Sequence, residues 1–194
     1  MRTEKNRTAL AGASKNAETA LNAMSSSDFA HVPDDENLAW AMAAIIHCDV
    51  ARLVVAYAEC ELEGIARLLW LGDIASKLYE ARNWYNNSGT AALRKIAERK
   101  PIETKAVNAT IDGLKRTHGV HRVNKYVEYR NKLGYHYDVT AISHLETFGK
   151  NDANEFFDIL TSFVRFSGDW AQLTKDIIQG HQTLGIKGQT GAEA

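Results

Sequence analysis

The stretch LAWAMAAIIHCDVARLVVAYAECELEGIARLLWL, residues 38–71, carries apolar side chains on nearly every face of a helix. Such a helix belongs in the centre of a bundle, because a helix at the surface has only one apolar stripe. Pro33 comes before the stretch, and the acids at positions 34, 35 and 36 suit a helix N-terminus. The stretch therefore predicts a long core helix around which other helices pack.

The composition of the 194-residue chain favours a single all-helical domain. Its apolar fraction of 45% and charged fraction of 24% are normal for a globular protein. Only two prolines occur, and no segment alternates apolar and polar residues for long enough to predict a strand. We expect an all-α, up-and-down bundle of about five to six helices over residues 28–179. Residues 1–27 are expected to form a loosely ordered arm or helix, and residues 180–194 a disordered tail.

Turn-forming residues divide the remainder of the chain into helices. Breaks are predicted at Gly72-Asp73, at the turn NNSGT (residues 86–90), at Pro101, at Gly119 and at Gly134. Residues 135–150 are predicted to be a connection. A last helix is predicted from Asp152 to about Ile178, since Asp152 and Glu155 have the spacing of a capping box.

Several classes of protein are excluded by what the sequence lacks. No segment reaches the roughly 18 consecutive apolar residues of a membrane span. The first residues lack the apolar region and small-residue cleavage site of a secretory signal. Cys48 and Cys60 are isolated thiols in apolar helical sequence, which fits a reducing compartment. We therefore expect a cytoplasmic protein with no membrane partner.

The formal net charge of −1 hides a strong asymmetry between two parts of the chain. Residues 28–64 hold eight acids and one base, whereas residues 94–132 hold eleven bases and four acids. A local basic surface can bind phosphates even when the whole chain is nearly neutral. The alternative is that the two charged faces are solvated, or attract each other within a dimer.

Arg130 falls among core-facing positions when residues 120–134 are placed on a helix at about 100° per residue. The apolar arc that surrounds it consists of Val120, Val123, Tyr126, Val127 and Leu133, and the residues outside the arc include Lys125, Glu128 and Lys132. A guanidinium on such a face needs a carboxylate, a set of carbonyls or a phosphate. A structural ion pair with an acid of a neighbouring helix is one explanation, for which Asp49, Glu59 and Glu63 are candidates.

His136 comes six residues after Arg130, so an unbroken helix would separate the two side chains by about 120° around its axis. Gly134 as a left-handed helix terminator would bring the imidazole back towards Arg130. A two-fold partner could instead supply the second member of the pair. The alternative for His136 is a cation at a helix C-terminus, stabilised by the helix dipole.

The segment RNKLGYHYD, residues 130–138, resembles the motif of the HEPN superfamily of nucleotide-binding domains. It is most similar to the AbiU2-like, abortive-infection branch, whose pattern is approximately Arg-(Asp/Asn)-Lys-x-x-Ala-His-x-Asp. The positions that match the pattern are Arg130, Asn131, Lys132, His136 and Asp138. Tyr135 departs from it, since a small residue usually precedes the histidine. Its ring could narrow a cleft or stack on a base.

The resemblance implies a helical bundle that forms a homodimer, with the motifs of two protomers facing one cleft. It also implies a metal-independent endoribonuclease of a toxin or phage-defence type, with RNA as substrate, no cofactor, and an antitoxin or defence partner. The alternative is a catalytically inactive helical module that binds RNA, a nucleotide or a protein partner.

The resemblance also implies specific roles for the residues of the motif and for the basic residues near it. His136 would take the proton of the RNA 2′-hydroxyl, a group that DNA lacks, and Arg130 would stabilise the charge on the phosphoryl oxygens. Asn131 would orient the histidine or a phosphate oxygen. The residues expected to hold the RNA backbone are Lys132, Lys125 and Arg122. Asp138 would either orient the imidazole or form a turn.

Other clusters in the sequence are weaker candidates. His118 and His121 have the spacing of a helical metal site, but no acid or thiol ligand is near them in sequence. Glu59 and Glu63 lack the Glu-x-x-His pairs that a di-metal bundle needs. Arg82-Asn83-Trp84-Tyr85, residues 82–85, repeats an Arg-Asn pair beside aromatic rings, for which core packing is the default role. No metal is expected.

Overall fold

The computed structural model describes residues 2–27, 30–59, 64–131 and 150–180. This part of the chain is a bundle of six α-helices without a strand, which confirms the all-α fold class predicted from the sequence. The helices are α1 (Arg2–Ala23), α2 (Asp34–Glu59), α3 (Gly64–Trp84), α4 (Thr90–Ala97), α5 (Thr104–Thr117) and α6 (Lys150–Ile178). A π-helical segment, Tyr85–Gly89, joins α3 to α4. A 3-10 segment, Val120–Tyr126, and one α-helical turn, Val127–Tyr129, follow α5.

The core of the bundle is built around one aromatic face of α6. Four rings on this face are each at most 1% exposed: Phe156, Phe163, Phe166 and Trp170. Tyr85 is also fully buried, and the centroid of its ring lies 4.9 Å from that of Phe166 and 5.0 Å from that of Trp170. Aromatic pairs at such distances contribute about 0.5–1.5 kcal/mol beyond the burial of their area. These contacts fix the end of α3 and the π-helical segment against α6.

The first helix packs on α2 through small side chains. Ala17, Ala20 and Ala23 of α1 are buried against Trp40, Ala41 and Ala44 of α2. Alanine at these positions lets the two backbones come close, and Trp40 supplies most of the apolar area. Near the other end of α1, Nε of Arg7 donates to Oε1 of Glu59 at 2.6 Å.

The break predicted at Gly72-Asp73 is wrong, because α3 runs through both residues. A glycine inside a helix costs about 1 kcal/mol relative to alanine. Leu71 and Ile74 flank the pair and are both completely buried. Burying two such side chains contributes about 1.5–3 kcal/mol each, which exceeds the cost of the glycine.

The turn predicted at residues 86–90 is also wrong, since this stretch continues the helical path as a π-helical segment that leads directly into α4. Gly89 passes close to the ring of Trp84, where a Cβ atom would lie 2.8 Å from Cζ3. The hydroxyl of Thr90 donates to the carbonyl of Tyr85 at 2.6 Å. Glycine here permits close packing rather than a reversal of the chain.

The segment after α5 differs in type from the α-helix predicted over residues 120–134. The helix α5 ends next to Gly119, as predicted, and this glycine has a φ of +56°, in the left-handed region. Val120, Val123 and Tyr126 are buried, and their spacing of three residues matches the period of the observed 3-10 segment. Three of the five predicted apolar positions are therefore buried, but on a tighter helix. Val127 is half-buried, and Leu133 lies outside the described residues.

One property of α2 bears on the expected absence of a membrane span. This 26-residue helix has a mean hydropathy of 1.7 in its most apolar 18-residue window, so by length and composition alone it could cross a membrane. Half of that window is buried inside the bundle. A core helix has the same properties, so the helix is weak support for a span. The cytoplasmic location stays a prediction.

Candidate functional site

Arg130 follows the short turn Val127–Tyr129 and lies against α3. Its Nη2 donates to Oε1 of Glu80 at 2.9 Å, and its Nη1 donates to Oδ1 of Asn131 at 2.9 Å. The Cζ atom of the guanidinium lies 4.4 Å from the centroid of the Tyr79 ring. Two consecutive residues of α3 thus contribute a charge and an aromatic face to one arginine.

These contacts orient the guanidinium without burying it completely. The side chain of Arg130 is 23% exposed and that of Glu80 is 54% exposed. An ion pair with an exposed partner contributes about 0–1 kcal/mol, and an exposed cation–π contact about 0.5–1 kcal/mol. A phosphate oxygen could therefore replace the carboxylate of Glu80 at small cost.

The described ionic partner of Arg130, Glu80, is not among the acids suggested by the sequence. Asp49 accepts hydrogen bonds from Arg52, and Glu59 accepts one from Arg7. Glu63, the third suggested acid, lies outside the described residues. Glu80 reaches Arg130 because α3 packs beside the segment after α5.

Lys125 and Arg122, two of the residues expected to hold RNA, meet a single acid of α6. Nζ of Lys125 donates to Oε2 of Glu155, and Nη2 of Arg122 lies 4.0 Å from Oε1 of the same carboxylate. The three side chains are 51%, 41% and 37% exposed, respectively. The pairs are therefore weak enough to exchange with another anion.

Part of the charge asymmetry is neutralised within the chain itself. Asp35, at the start of α2, accepts hydrogen bonds from Nη1 and Nη2 of Arg99 at 3.0 and 3.1 Å. Nζ of Lys95 lies 3.1 Å from Oδ2 of the same carboxylate. Hydrogen bonds from Arg99 and then Lys95 hold the pKa of Asp35 below its ordinary value. Next to it, the 1%-exposed carboxylate of Glu36 lies 3.1 Å from Arg99 and 3.0 Å from Lys100. Acidic and basic parts of the sequence thus attract each other inside the chain.

The remaining residues of the motif lie outside the described residues: Lys132, Tyr135, His136 and Asp138. The structure therefore brings Arg130 and Asn131 together, and separately brings Arg122 and Lys125 to Glu155. The sequence motif missed Glu80 and Tyr79, since the Glu80–Arg130 contact spans 50 positions and no local spacing indicates it.

The weaker candidates are also placed by the structure. Nε2 of His118 hydrogen-bonds to Oδ2 of Asp169 at 2.8 Å, so this histidine is paired with an acid of α6. Among the residues with described placement, no group of three or more His, Cys, Asp or Glu side chains is arranged to hold a metal ion.

Burial raises the pKa of the Cys48 thiol, which disfavours the reactive thiolate. Tyr85, from the second Arg-Asn segment, lies in the core as expected.

Comparisons of the chain with protein-family models, with curated proteins and with solved structures gave no match. The resemblance to the HEPN superfamily therefore depends on the residues of the Arg130 motif alone. It stays a prediction.

Proposed function

We propose that this chain is a metal-independent endoribonuclease of a toxin or phage-defence type in which Arg130 and His136 act on one phosphodiester of RNA. The observation that supports the proposal best is the set of contacts around the Arg130 guanidinium. Its guanidinium is oriented by an aromatic ring and an amide, and Glu80, an ionic partner among the described residues, is exposed. Such a guanidinium is prepared for a phosphate at small cost.

In the proposed reaction, His136 removes the proton of a 2′-hydroxyl. The freed oxygen bonds to phosphorus, the bond to the 5′-oxygen breaks, and a proton completes the leaving hydroxyl. The products are a 2′,3′-cyclic phosphate and a 5′-hydroxyl end. Arg130 stabilises the negative charge that accumulates on the phosphoryl oxygens, where paired N–H donors match their geometry.

The surrounding residues have supporting roles in this proposal. Asn131 holds Arg130 through the observed hydrogen bond, in addition to the predicted contact with the histidine or a phosphate oxygen. Lys125 and Arg122 exchange Glu155 for the RNA backbone, so that affinity falls with salt. Lys132, Tyr135 and Asp138 contribute a backbone contact, a stacking ring and an orienting carboxylate. A homodimer would place two such motifs at one cleft.

The test is cleavage of single-stranded RNA by purified protein in EDTA, with the ends of the products identified. A general base contributes about 10²–10⁴-fold to rate, so we expect at least a hundredfold loss in His136→Ala and in Arg130→Ala. Matched controls are His31→Ala and Arg165→Ala, which change exposed residues of the same types elsewhere. Equal cleavage by the wild type and an Arg130→Ala, His136→Ala double variant would refute the proposal.

The second candidate function is a catalytically silent module that binds RNA, a nucleotide or a protein. The observation that favours it is the ion pair itself, because Glu80 satisfies Arg130 without any ligand. Expression of the chain in a bacterial host separates the two functions. Toxicity that His136→Ala removes supports the nuclease, whereas RNA binding without cleavage by the wild type supports the module.

A further inference from the structure

A cavity of about 260 Å³ lies between the end of α3, the π-helical segment, the end of α5 and the start of the 3-10 segment. Its lining consists of Arg82, Asn86, Lys115, Arg116, Val120 and His121. Four of these six residues are basic or can become cationic, and none is an acid. The sequence divides them between two regions, residues 82–86 and residues 115–121.

The basic side chains of this cavity have no carboxylate partner among the described residues, unlike several other cations around them. Within the described ranges, no carboxylate oxygen lies within 4.0 Å of a side-chain nitrogen of Arg82, Lys115, Arg116 or His121. By contrast, the bases paired with carboxylates in this half of the chain include Lys95, Arg99, Lys100, Arg122, Lys125 and Arg130. Four side chains that lack a carboxylate partner within the described ranges therefore line one concave place, whereas other cations without such a partner, among them Lys105 and Arg165, are exposed outside it.

Lys115 shows that these cations act on one another. Burial lowers its pKa. Asp112 opposes this effect, and the positive charges of Arg94 and Arg82 lower the pKa by smaller amounts. Its Nζ lies 5.9 Å from the centroid of the Trp170 ring, which is part of the buried core. Like charges held together in a partly buried place destabilise the fold unless an anion neutralises them.

Helix dipoles account for only part of this arrangement. Lys115 and Arg116 lie in the last turn of α5, where cations are stabilised in any helix. Arg82 lies near the end of α3, but the backbone continues through the π-helical segment into α4, so there is no free helix terminus beside it. The left-handed Gly119 then turns the chain and brings His121 to the same cavity.

We propose that this cavity is a binding site for the phosphate group of a phosphate monoester. A monoester carries a charge of about −1.5 to −2 at neutral pH and three acceptor oxygens, which matches several converging cations better than a singly charged diester does. Arg82 and Arg116 offer paired N–H donors, Lys115 a point charge, and Asn86 an amide. The site uses neither Arg130 nor His136, so it stands or falls independently of RNA cleavage.

The phosphate has two sources with the same chemistry, a small metabolite or the 5′-phosphate end of an RNA. Isothermal titration of the full chain with inorganic phosphate, AMP and adenosine tests the first source. Titration with one oligoribonucleotide, prepared with a 5′-phosphate and with a 5′-hydroxyl, tests the second. We expect phosphate and at least one phosphorylated probe to bind, and the matching probe without phosphate to bind at least about tenfold more weakly.

Two double variants test whether this cavity binds phosphate. The test variant combines Arg82→Gln and Arg116→Gln, and the control variant combines Lys105→Gln and Arg165→Gln. The second pair removes the same number of positive charges from exposed residues outside the cavity. The first pair should weaken binding of phosphate at least about tenfold, and the second should leave it unchanged. If the double variant fails to fold, Arg116→Gln alone replaces it, because Arg116 is exposed. Equal losses in both pairs, or no binding of phosphate by the wild type at millimolar concentration, would overturn the proposal.

Discussion

Glu80 and Arg130 lie 50 positions apart in the sequence, and Oε1 of Glu80 accepts a hydrogen bond from Nη2 of Arg130 at 2.9 Å. The pair joins α3 to the segment that carries the motif. In the proposed reaction the carboxylate of Glu80 competes with the phosphate of RNA for the same guanidinium. The pair therefore keeps Arg130 oriented before the substrate arrives.

Glu80→Gln should weaken this competition. We expect the free energy of unfolding to fall by less than about 1 kcal/mol, because Glu80 is exposed, and the affinity for RNA to rise by up to about fivefold. Urea unfolding and RNA titration measure the two effects. Asp73→Asn is the matched control, since it removes an exposed acid from the same helix. A loss of stability with unchanged affinity for RNA would show that the Glu80–Arg130 pair is purely structural.

Glu36 anchors the start of α2 to the end of α4. Its carboxylate is 1% exposed and lies near Arg99 and Lys100, so Glu36→Gln removes the charge that both cations face. We expect the free energy of unfolding to fall by about 1–3 kcal/mol, as for a charged hydrogen bond. Asp34→Asn removes an exposed acid from the same helical turn and should cost less than about 1 kcal/mol. Similar losses in both variants, measured by urea unfolding, would mean that the helix dipole alone accounts for Glu36.

The stability of the protein should depend on pH through His47. Its Nδ1 hydrogen-bonds to Oγ of Ser167 at 2.9 Å, and burial lowers its pKa below the ordinary value of 6.5, against the opposing effects of Asp169 and the Val164 carbonyl. The folded chain therefore disfavours the charged imidazole, and the unfolded chain binds more protons as the pH falls below 6.5.

The contribution of His47 is complete above that pH and is lost as the pH falls. His47→Asn, which cannot take up a proton, should reduce the decrease in Tm between about pH 7.5 and about pH 5.5. His31→Asn serves as the control, because His31 is exposed. An identical pH dependence of Tm in the wild type and His47→Asn would contradict the assignment.

Two glycines should respond in opposite directions to the same substitution. A Cβ atom at Gly89 would lie 2.8 Å from Cζ3 of Trp84, whereas a Cβ atom at Gly12 in α1 would meet nothing within 4 Å. Gly89→Ala should therefore destabilise the protein by about 1–3 kcal/mol through overpacking. Gly12→Ala should stabilise it by up to about 1 kcal/mol through helix propensity. Thermal unfolding of both variants checks the prediction, and a gain in Tm for Gly89→Ala would show that Trp84 moves aside freely.

The sequence was sufficient to predict features that depend on local periodicity and composition. The apolar stretch over residues 38–71 predicted one long core helix, and the structure forms two helices there, α2 and α3, that both contribute to the core. The spacing of Val120, Val123 and Tyr126 predicted a buried face. Such patterns are readable because each residue reports whether its own position faces the core. Gly72 was misread because the burial of its neighbours Leu71 and Ile74 outweighs the cost of a glycine in a helix. Gly89 was misread because its role is to allow close packing on the Trp84 ring, which the turn-like composition did not indicate.

Tertiary packing alone decided which side chains meet. It brought Glu80 and Tyr79 into contact with Arg130. It also paired Asp35, in the first turn of α2, with Arg99, which lies just after the end of α4. It also placed Arg82 beside Lys115 and Arg116, in one cavity. The physical reason is that the apolar stripe of a helix determines that it will be buried, whereas the choice of its neighbours depends on how all the helices fill the core together.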